Sequence, residues 1–218
     1  MKILVVGSTD DLAETKGKFG AAHDYRLADV QGHVDKFFGE CEVVFDFTIV
    51  QDRSRLNLYQ EQAGLPVFLN ASTTTLAQMT GSSLSSGFFG FCGMRTFFNR
   101  EILEVSVQGN LQLDNLRSVC SALNTKYQVV ADRVGLVTPR VICMIINEAY
   151  YTVQEGTASR DDIDSAMKLG TNYPFGPFEW AERIGVGNVC KLLNAVYADT
   201  QDPRYKICSL LVEESRMG

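Results

Sequence analysis

The chain has 218 residues, of which 45% are hydrophobic and 21% are charged, as in ordinary globular proteins of one or two domains. Its formal net charge of -6 argues against nucleic-acid binding, which would require a basic patch. The sequence contains no apolar stretch long enough to span a bilayer, so we expect no membrane insertion.

Along the first 132 residues, strand patterns alternate with helix patterns. The strand patterns lie at Lys2–Val6, Tyr25–Ala28, Glu42–Ile49, Leu65–Leu69, Gly87–Phe91, Glu101–Val107 and Tyr127–Val130. The helix patterns lie at Asp10–Phe19, Asp52–Gln62 and Leu113–Leu123, and the serine-rich run 81–86 is short enough for a loop. This alternation predicts a doubly wound, mostly parallel sheet.

After Asp132 only helix patterns follow. The first is the long apolar segment Thr138–Thr152, and the next begins at a capping box, Ser159 with Asp162, and is predicted to end at Gly170. Further helices are expected at Pro177–Arg183, at Val186–Ala198 and after Pro203. The sequence therefore predicts an α/β domain over residues 1–132 and an all-helical domain over residues 133–218.

The cysteines indicate a reducing environment. They number six and are scattered without a CxxC pair, at Cys41, Cys92, Cys120, Cys143, Cys190 and Cys208. This pattern favours buried, reduced thiols in a cytoplasmic protein over disulfides, and we expect no metal site.

Residues 161–179 carry the most specific pattern in the chain. They read Asp-Asp-Ile-Asp-Ser-Ala-Met-Lys-Leu-Gly-Thr-Asn-Tyr-Pro-Phe-Gly-Pro-Phe-Glu. This run resembles the C-terminal domain of the 3-hydroxyacyl-CoA dehydrogenase family, which has an acidic-Ile-Asp…Met…Gly…Pro-x-Gly-Pro-Phe-Glu pattern. The resemblance is strong from Asp132 onward, moderate from Val43 to Val107 and weak over residues 1–40.

The resemblance implies both a fold and an activity. The fold is a reduced, mostly parallel, Rossmann-like NAD-binding domain followed by the all-α dehydrogenase C-terminal domain. The activity is NAD-dependent oxidation of a 3-hydroxyacyl-CoA thioester. In the family the helical domain forms the homodimer and helps to close a cleft over the acyl-CoA, so helix Val141–Val153 is expected either to contact a partner chain or to lie in the intramolecular core.

The cofactor loop implied by the resemblance follows the first strand. A dinucleotide loop has the pattern Gly-x-Gly-x-x-Gly, whereas this chain has Gly7-Ser8-Thr9-Asp10-Asp11-Leu12. Gly7 and Ser8 match the beginning of the loop, and Asp29 stands where an acidic residue binds the NAD ribose. Negative charge at residues 10 and 11 favours the helix dipole but repels a pyrophosphate. Backbone amides at the helix start are an alternative means of holding phosphates.

The substrate side is implied by two further segments. Asn70-Ala71-Ser72-Thr73 resembles the family's Asn-Thr-Ser-Ser segment beside the nicotinamide and substrate, although Asn and Ser also suit an ordinary turn. Glu104 matches the family's catalytic glutamate. An alignment without gaps places Cys92 at the position of the family's histidine, and an alternative register places Thr96 or Arg95 there.

No register supplies an imidazole, because the only histidines are His23 and His33. An imidazole suits proton transfer at a 3-hydroxyl because its pKa lies near neutral pH. In the family's Asp-x-x-Gly-Phe-x-x-Asn-Arg segment, Pro139 replaces the asparagine that polarises the substrate carbonyl. Three hypotheses follow: an NAD-dependent dehydrogenase that uses Glu104, Cys92 and Ser72, a non-catalytic acyl-CoA- or nucleotide-binding relative, and a dimeric assembly subunit.

Overall fold

The computed structural model describes residues 1–29, 32–81 and 87–217, so most of the loop predicted at residues 81–86 lies outside the described residues. The chain divides into two compact units. One comprises Met1–Gly93 with Phe97–Leu136, and the other comprises Met94–Thr96 with the residues from Val137 onward. The predicted α/β sheet followed by an all-helical region is confirmed.

The first unit contains a seven-stranded sheet in the order β2-β1-β3-β4-β5-β6-β7. Its strands are β1 (Lys2–Val6), β2 (Asp24–Ala28), β3 (Val43–Asp46), β4 (Val67–Asn70), β5 (Phe88–Phe91), β6 (Ile102–Ser106) and β7 (Lys126–Val130). Strands β1 to β5 run parallel, β6 is antiparallel to β5, and β7 is parallel to β6. The strand order reverses between β1 and β3, where open α/β sheets bind their ligands.

Helices cover this sheet on both faces. They are α1 (Thr9–Phe19), α2 (Arg55–Gln60), α3 (Leu76–Thr80) and α4 (Leu113–Ala122), with 3₁₀ turns at Val34–Phe37 and Asn110–Gln112. Helix α2 begins at Arg55 rather than at the predicted Asp52, because the Asp52 carboxylate accepts hydrogen bonds from the Ser54 N–H (3.1 Å) and hydroxyl (2.6 Å). Such a local turn competes with helix formation.

Two hydrophobic clusters lie in this unit. One is rich in phenylalanine and contains Phe19, Phe45, Phe68, Phe91 and Phe98. The other contains Leu4, Val6, Val44, Leu56 and Tyr59. Neighbouring residues of β1 and β3 belong to opposite clusters, so these strands are buried on both faces. That arrangement explains why the central strands read as continuous apolar runs.

The second unit is built from helices. They are α5 (Thr138–Gln154), α6 (Arg160–Thr171), α7 (Pro177–Ile184), α8 (Val186–Thr200) and α9 (Ser209–Met217), with a 3₁₀ turn at Pro203–Tyr205. The prediction that α6 ends at Gly170 is wrong. Gly170 lies inside the helix, and Asn172 ends it with a left-handed backbone (φ 56°), because asparagine tolerates this conformation almost as well as glycine.

The signature segment 161–179 forms a tight helix junction. The buried Asp164 carboxylate accepts hydrogen bonds from the N–H groups of Phe178 (2.9 Å) and Glu179 (3.1 Å) in the first turn of α7. A Cβ atom on Gly176 would lie 2.2 Å from Asp164 Cγ, so only glycine fits there. Lys168 pairs with Glu179 at 2.5 Å. The spacing of the acidic residue, the glycine and the glutamate is therefore explained by the capping of one helix.

Within the described ranges, no helix combines the length and the apolar character needed to cross a bilayer. Nor do the described His, Cys, Asp and Glu side chains form a group that could hold a metal ion. The six cysteines, all within the described ranges, form no disulfide, and five of them are buried.

Candidate functional site

The parallel strands bring most of the predicted site residues to one edge of the sheet. Gly7 follows β1, Asp29 follows β2, Asn70 ends β4, and Cys92 follows β5. Because β1 to β5 run in the same direction, their carboxyl ends meet at this edge, where α/β proteins place their ligands. The predicted residues Ser8 and Ser72 lie immediately after β1 and β4.

The loop after β1 closes on itself through a capping box at the start of α1. The Asp11 carboxylate oxygen Oδ2 accepts hydrogen bonds from the Ser8 N–H and the Ser8 hydroxyl, both at 2.7 Å. In return the Asp11 N–H donates to Ser8 Oγ at 3.2 Å. The side chain of Asp11 thus turns back over the first residues of the loop.

This arrangement does not fit a dinucleotide pyrophosphate. In a dinucleotide loop the glycines let the phosphates approach the backbone, but here a Cβ atom on Gly7 would lie only 2.5 Å from Asp11 Oδ2. The space beside Gly7 is therefore occupied by the protein's own carboxylate. Moving this carboxylate aside costs about 1 kcal/mol of capping energy. Each negative charge left about 4 Å from a phosphate adds roughly 1 kcal/mol even in water.

Asp29 stands beside this loop. Strand pairing aligns Val6 with Ala28, and the Gly7 N–H donates to the Ala28 carbonyl at 3.1 Å, so the next aligned pair is Gly7 with Asp29. Asp29 is exposed. Its place at the end of the second strand is the one from which an acidic side chain binds a ribose hydroxyl.

Asn70 holds together the ends of three strands. Its side-chain oxygen accepts hydrogen bonds from the Ser72 hydroxyl (2.6 Å), the Ser72 N–H (3.2 Å) and the Gly93 N–H (3.1 Å). Its amide nitrogen donates to the Phe47 carbonyl at 2.9 Å. A Cβ atom on Gly93 would lie 2.8 Å from the Asn70 side chain, so the close approach depends on glycine. In this structure Asn70 positions Ser72 and the backbone after β5.

Cys92 follows β5 directly, and Glu104 lies on the neighbouring strand β6. The antiparallel register aligns Gly90 with Ser106 and Phe91 with Val105, and continuing it by one residue beyond β5 would align Cys92 with Glu104. Directly opposite residues point to the same face of a sheet, with Cβ atoms roughly 5 Å apart. The position of Cys92 directly after β5 agrees with the alignment without gaps, in which Cys92 faces Glu104, and the assignment of either residue to catalysis stays a prediction.

Cys92 is buried beside a polar side chain. Its sulfur lies 3.5 Å from the Ser72 hydroxyl, and the residue is 4% exposed. Glu104 is partly buried. Neither side chain is an imidazole, the group that usually transfers protons near neutral pH.

A buried ion pair at the end of β3 was not predicted from the sequence. Arg55 donates to both carboxylate oxygens of Asp46, at 2.9 and 3.1 Å, and the Tyr59 hydroxyl donates to Asp46 at 2.9 Å. Burial opposes the charge of Arg55, but the hydrogen bonds and the charge of Asp46 outweigh it and hold the pKa of Arg55 above its usual value. Burial and the Asp46 carboxylate also raise the pKa of Tyr59 far above its usual range. The only sequence signal was an aspartate inside an apolar strand.

Asp132 joins the substrate-side segment to the end of the sheet. Its carboxylate accepts hydrogen bonds from the N–H groups of Leu76 and Ala77, both at 2.8 Å, and from the Ser106 hydroxyl at 3.0 Å. The Gly135 N–H donates to the Ser72 carbonyl at 3.0 Å. The family-like segment that begins at Asp132 thus supports the turn that carries Ser72.

A separate polar cavity of about 300 Å³ is lined by Lys18, Arg100, Lys126 and neighbouring polar side chains. Lys18 donates a hydrogen bond to the Arg100 carbonyl, and burial lowers the pKa of Lys18 to about 8. Sequence patterns did not indicate this cavity, because its residues come from three distant segments.

Comparison with known proteins identifies a family for the C-terminal region. The model of the 3-hydroxyacyl-CoA dehydrogenase C-terminal domain matches residues 135–218. A 3-hydroxyadipyl-CoA dehydrogenase from Escherichia coli K12 is 44% identical over 82 residues, which cover 38% of this chain and 17% of that protein. A probable 3-hydroxybutyryl-CoA dehydrogenase from Deinococcus radiodurans is 26% identical over 214 residues, which cover 93% of this chain and 77% of that protein.

One further relative and one solved structure also match most of this chain. A 3-hydroxybutyryl-CoA dehydrogenase from Bradyrhizobium diazoefficiens is 25% identical, and the match covers 82% of this chain and 64% of that protein. The chain thus spans between 17% and 64% of the length of several curated relatives. The crystal structure of (S)-3-hydroxybutyryl-CoA dehydrogenase from Ralstonia eutropha matches with a TM-score of 0.77 and 19% identity, covering 100% of this chain and 94% of that one. At that identity the match establishes the fold.

Proposed function

Since the chain belongs to the 3-hydroxyacyl-CoA dehydrogenase family, we propose that it binds a 3-hydroxyacyl- or 3-oxoacyl-CoA thioester. The observation that carries the proposal is the substrate-side arrangement at the carboxyl edge of the sheet. There Asn70 fixes Ser72 beside Cys92, and the pairing of Phe91 with Val105 brings β6, which carries Glu104, alongside the end of β5. Relatives of the chain bear names that refer to 3-hydroxybutyryl-CoA and 3-hydroxyadipyl-CoA.

The chemistry of these groups suits recognition of a 3-oxygen substituent. The Cys92 thiol can donate a hydrogen bond, and the Ser72 oxygen and the Glu104 carboxylate can accept one from a substrate hydroxyl. Asn70 keeps Ser72 in place. General acid–base help is worth about 10² to 10⁴ in rate, and Cys92 with Glu104 lacks the imidazole that would supply it. Binding of the thioester is therefore better supported than rapid turnover.

An NAD-dependent dehydrogenase is the second candidate function. It is favoured by Asp29, which stands beside Gly7 where a ribose hydroxyl would bind. If the chain has this function, NADH is oxidised when acetoacetyl-CoA is added. The variant Glu104→Gln should then abolish that oxidation. The matched control is Glu101→Gln, because Glu101 is exposed and pairs with Lys126 instead.

Thermal unfolding of the purified chain tests thioester binding. We expect acetoacetyl-CoA to raise the melting temperature. Adenosine diphosphate, which lacks the pantetheine and acyl parts, should not raise it. A ligand at one hundred times its dissociation constant adds about 2.7 kcal/mol of stability, which corresponds to a shift of several degrees. Ser72→Ala should reduce the shift, since it removes a hydrogen-bonding oxygen beside Cys92. A melting temperature unchanged by acetoacetyl-CoA would contradict the proposal.

We also propose that the helical region forms a homodimer, as the family resemblance implies. Val137 and Val141 at the start of α5 are 51% and 52% exposed. Apolar side chains exposed side by side on one helix favour contact with a partner.

A further inference from the structure

We infer that the Asp11 carboxylate has taken the place of the dinucleotide pyrophosphate, and that the chain binds its thioester without a nucleotide bound at residues 7–12. The inference rests on the proposed function in one respect, which is that a thioester binds on the substrate side of the site, beside Ser72, Cys92 and Glu104. It concerns the loop that the family uses for its cofactor.

The start of α1 already holds an anion, the carboxylate of Asp11. A pyrophosphate at a helix start is held by backbone N–H groups and by the positive end of the helix dipole. In this chain the Ser8 N–H already donates to Asp11 Oδ2 at 2.7 Å, and the Ser8 hydroxyl donates to the same oxygen at 2.7 Å. An anion is therefore present at the start of α1, and it is covalently part of the protein.

The retained glycine makes room for this carboxylate. Gly7 is the one glycine of the expected pattern that this chain keeps. Its missing Cβ leaves room for Asp11, whose Oδ2 would otherwise lie 2.5 Å from that atom. The glycine that elsewhere admits a phosphate here admits a carboxylate.

The loop accommodates its own carboxylates better than it would accommodate a dinucleotide. Asp10 and Asp11 both stand in the first turn of α1, where negative charge interacts favourably with the helix dipole. A dinucleotide would bring further negative charge to the same turn. It would also have to displace a carboxylate that is tethered and therefore always present at high effective concentration.

Calorimetric titration of the full chain with NADH, and separately with acetoacetyl-CoA, tests the inference. We expect no saturable NADH binding to the wild-type chain into the millimolar range. The variant Thr9→Gly/Asp11→Ala/Leu12→Gly should bind NADH at least about tenfold more tightly than Thr9→Gly/Leu12→Gly, which keeps Asp11. Circular dichroism establishes that each variant is folded.

A pair of single variants keeps the test valid if the triple variant does not fold. Asp11→Ala removes the carboxylate that caps Ser8, whereas Asp10→Ala removes an equal charge from the same turn and leaves the capping box intact. We expect tighter NADH binding by Asp11→Ala than by Asp10→Ala. Equal affinities in this pair would overturn the inference.

The titrations separate the two proposals. Saturable binding of NADH to the wild-type chain overturns the inference, whatever the result with acetoacetyl-CoA. An absence of acetoacetyl-CoA binding removes the proposed function and leaves the conclusion about residues 7–12 intact. Binding of acetoacetyl-CoA without NADH supports both.

Discussion

Lys18 is the side chain whose titration most clearly affects stability. Burial lowers its pKa from 10.5 to about 8 against the attraction of Cys120. Between these pH values the unfolded chain holds more protons than the folded chain, so the Lys18 contribution to stability rises as the pH rises from 8 to 10.5. We expect the free energy of unfolding of the wild type, relative to Lys18→Met, to rise by about 1–3 kcal/mol over this window.

Urea unfolding at a series of pH values measures this difference. Below pH 8 the difference between the wild type and Lys18→Met should be constant, because Lys18 is charged in both the folded and the unfolded chain. Lys16→Met is the matched control, since Lys16 is exposed on the same helix. A difference that stays flat up to pH 10.5 would show that Lys18 is not buried as described.

At the residue scale, the sequence indicated the residues of the candidate site better than it indicated the buried ion pair of Asp46 with Arg55. Cys92 and Glu104 could be named because a family pattern surrounds them, and their roles stay predictions. Asp46 and Arg55 gave no such signal. A buried charge is tolerated only where a partner satisfies it, and the partner here lies on another element, which pattern reasoning along one chain segment does not reveal.

At the scale of elements, the junction between α6 and α7 depends on close packing at Gly176. A Cβ atom there would lie 2.2 Å from Asp164 Cγ and 2.3 Å from its Oδ1. Gly176→Ala must therefore displace the carboxylate that caps α7. We expect a loss of about 1–3 kcal/mol in the free energy of unfolding, the cost of leaving buried hydrogen-bonding groups without partners.

The matched control for this prediction is Gly170→Ala. Gly170 lies within α6, and no atom stands within 4 Å of the Cβ position. Alanine there should raise the free energy of unfolding by up to about 1 kcal/mol, because it favours the helix more than glycine does. Chemical denaturation distinguishes the two variants, and a stabilised Gly176→Ala would disprove the capping role of Asp164.

The seven strands and the longer helices were predicted from their apolar patterns, whereas the shortest α-helix was not. Helix α5 was expected at Thr138–Thr152 and is found at Thr138–Gln154. Helix α3 was missed, because a helix at Leu76–Thr80 is too short to show an apolar period. Its capping box, Thr75 with Gln78, was the only local signal. The end of α6 was misjudged because both Gly170 and Asn172 are helix terminators by type.

At the scale of the whole molecule, we predict that the proposed homodimer depends on the beginning of α5. Val141→Glu places a charge on the apolar surface formed with Val137, so we expect it to give monomers. Sedimentation velocity at several concentrations measures this. Leu169→Glu is the control, because Leu169 is 87% exposed on α6. A wild-type chain that sediments as a monomer at every concentration would refute the proposal.

The order of strands in the sheet has a consequence for how copies of the chain coexist in concentrated solution. In the described part of the chain the sheet is open and ends on β2 and β7. Edge strands can recruit a strand from another molecule and so begin aggregation. Here exposed Asp24 and Arg26 on β2, and exposed Lys126 and Gln128 on β7, place charged and hydrophilic side chains along both edges. These side chains oppose the addition of a strand from another molecule. The sheet can therefore stay open at both edges without acting as a template for fibres.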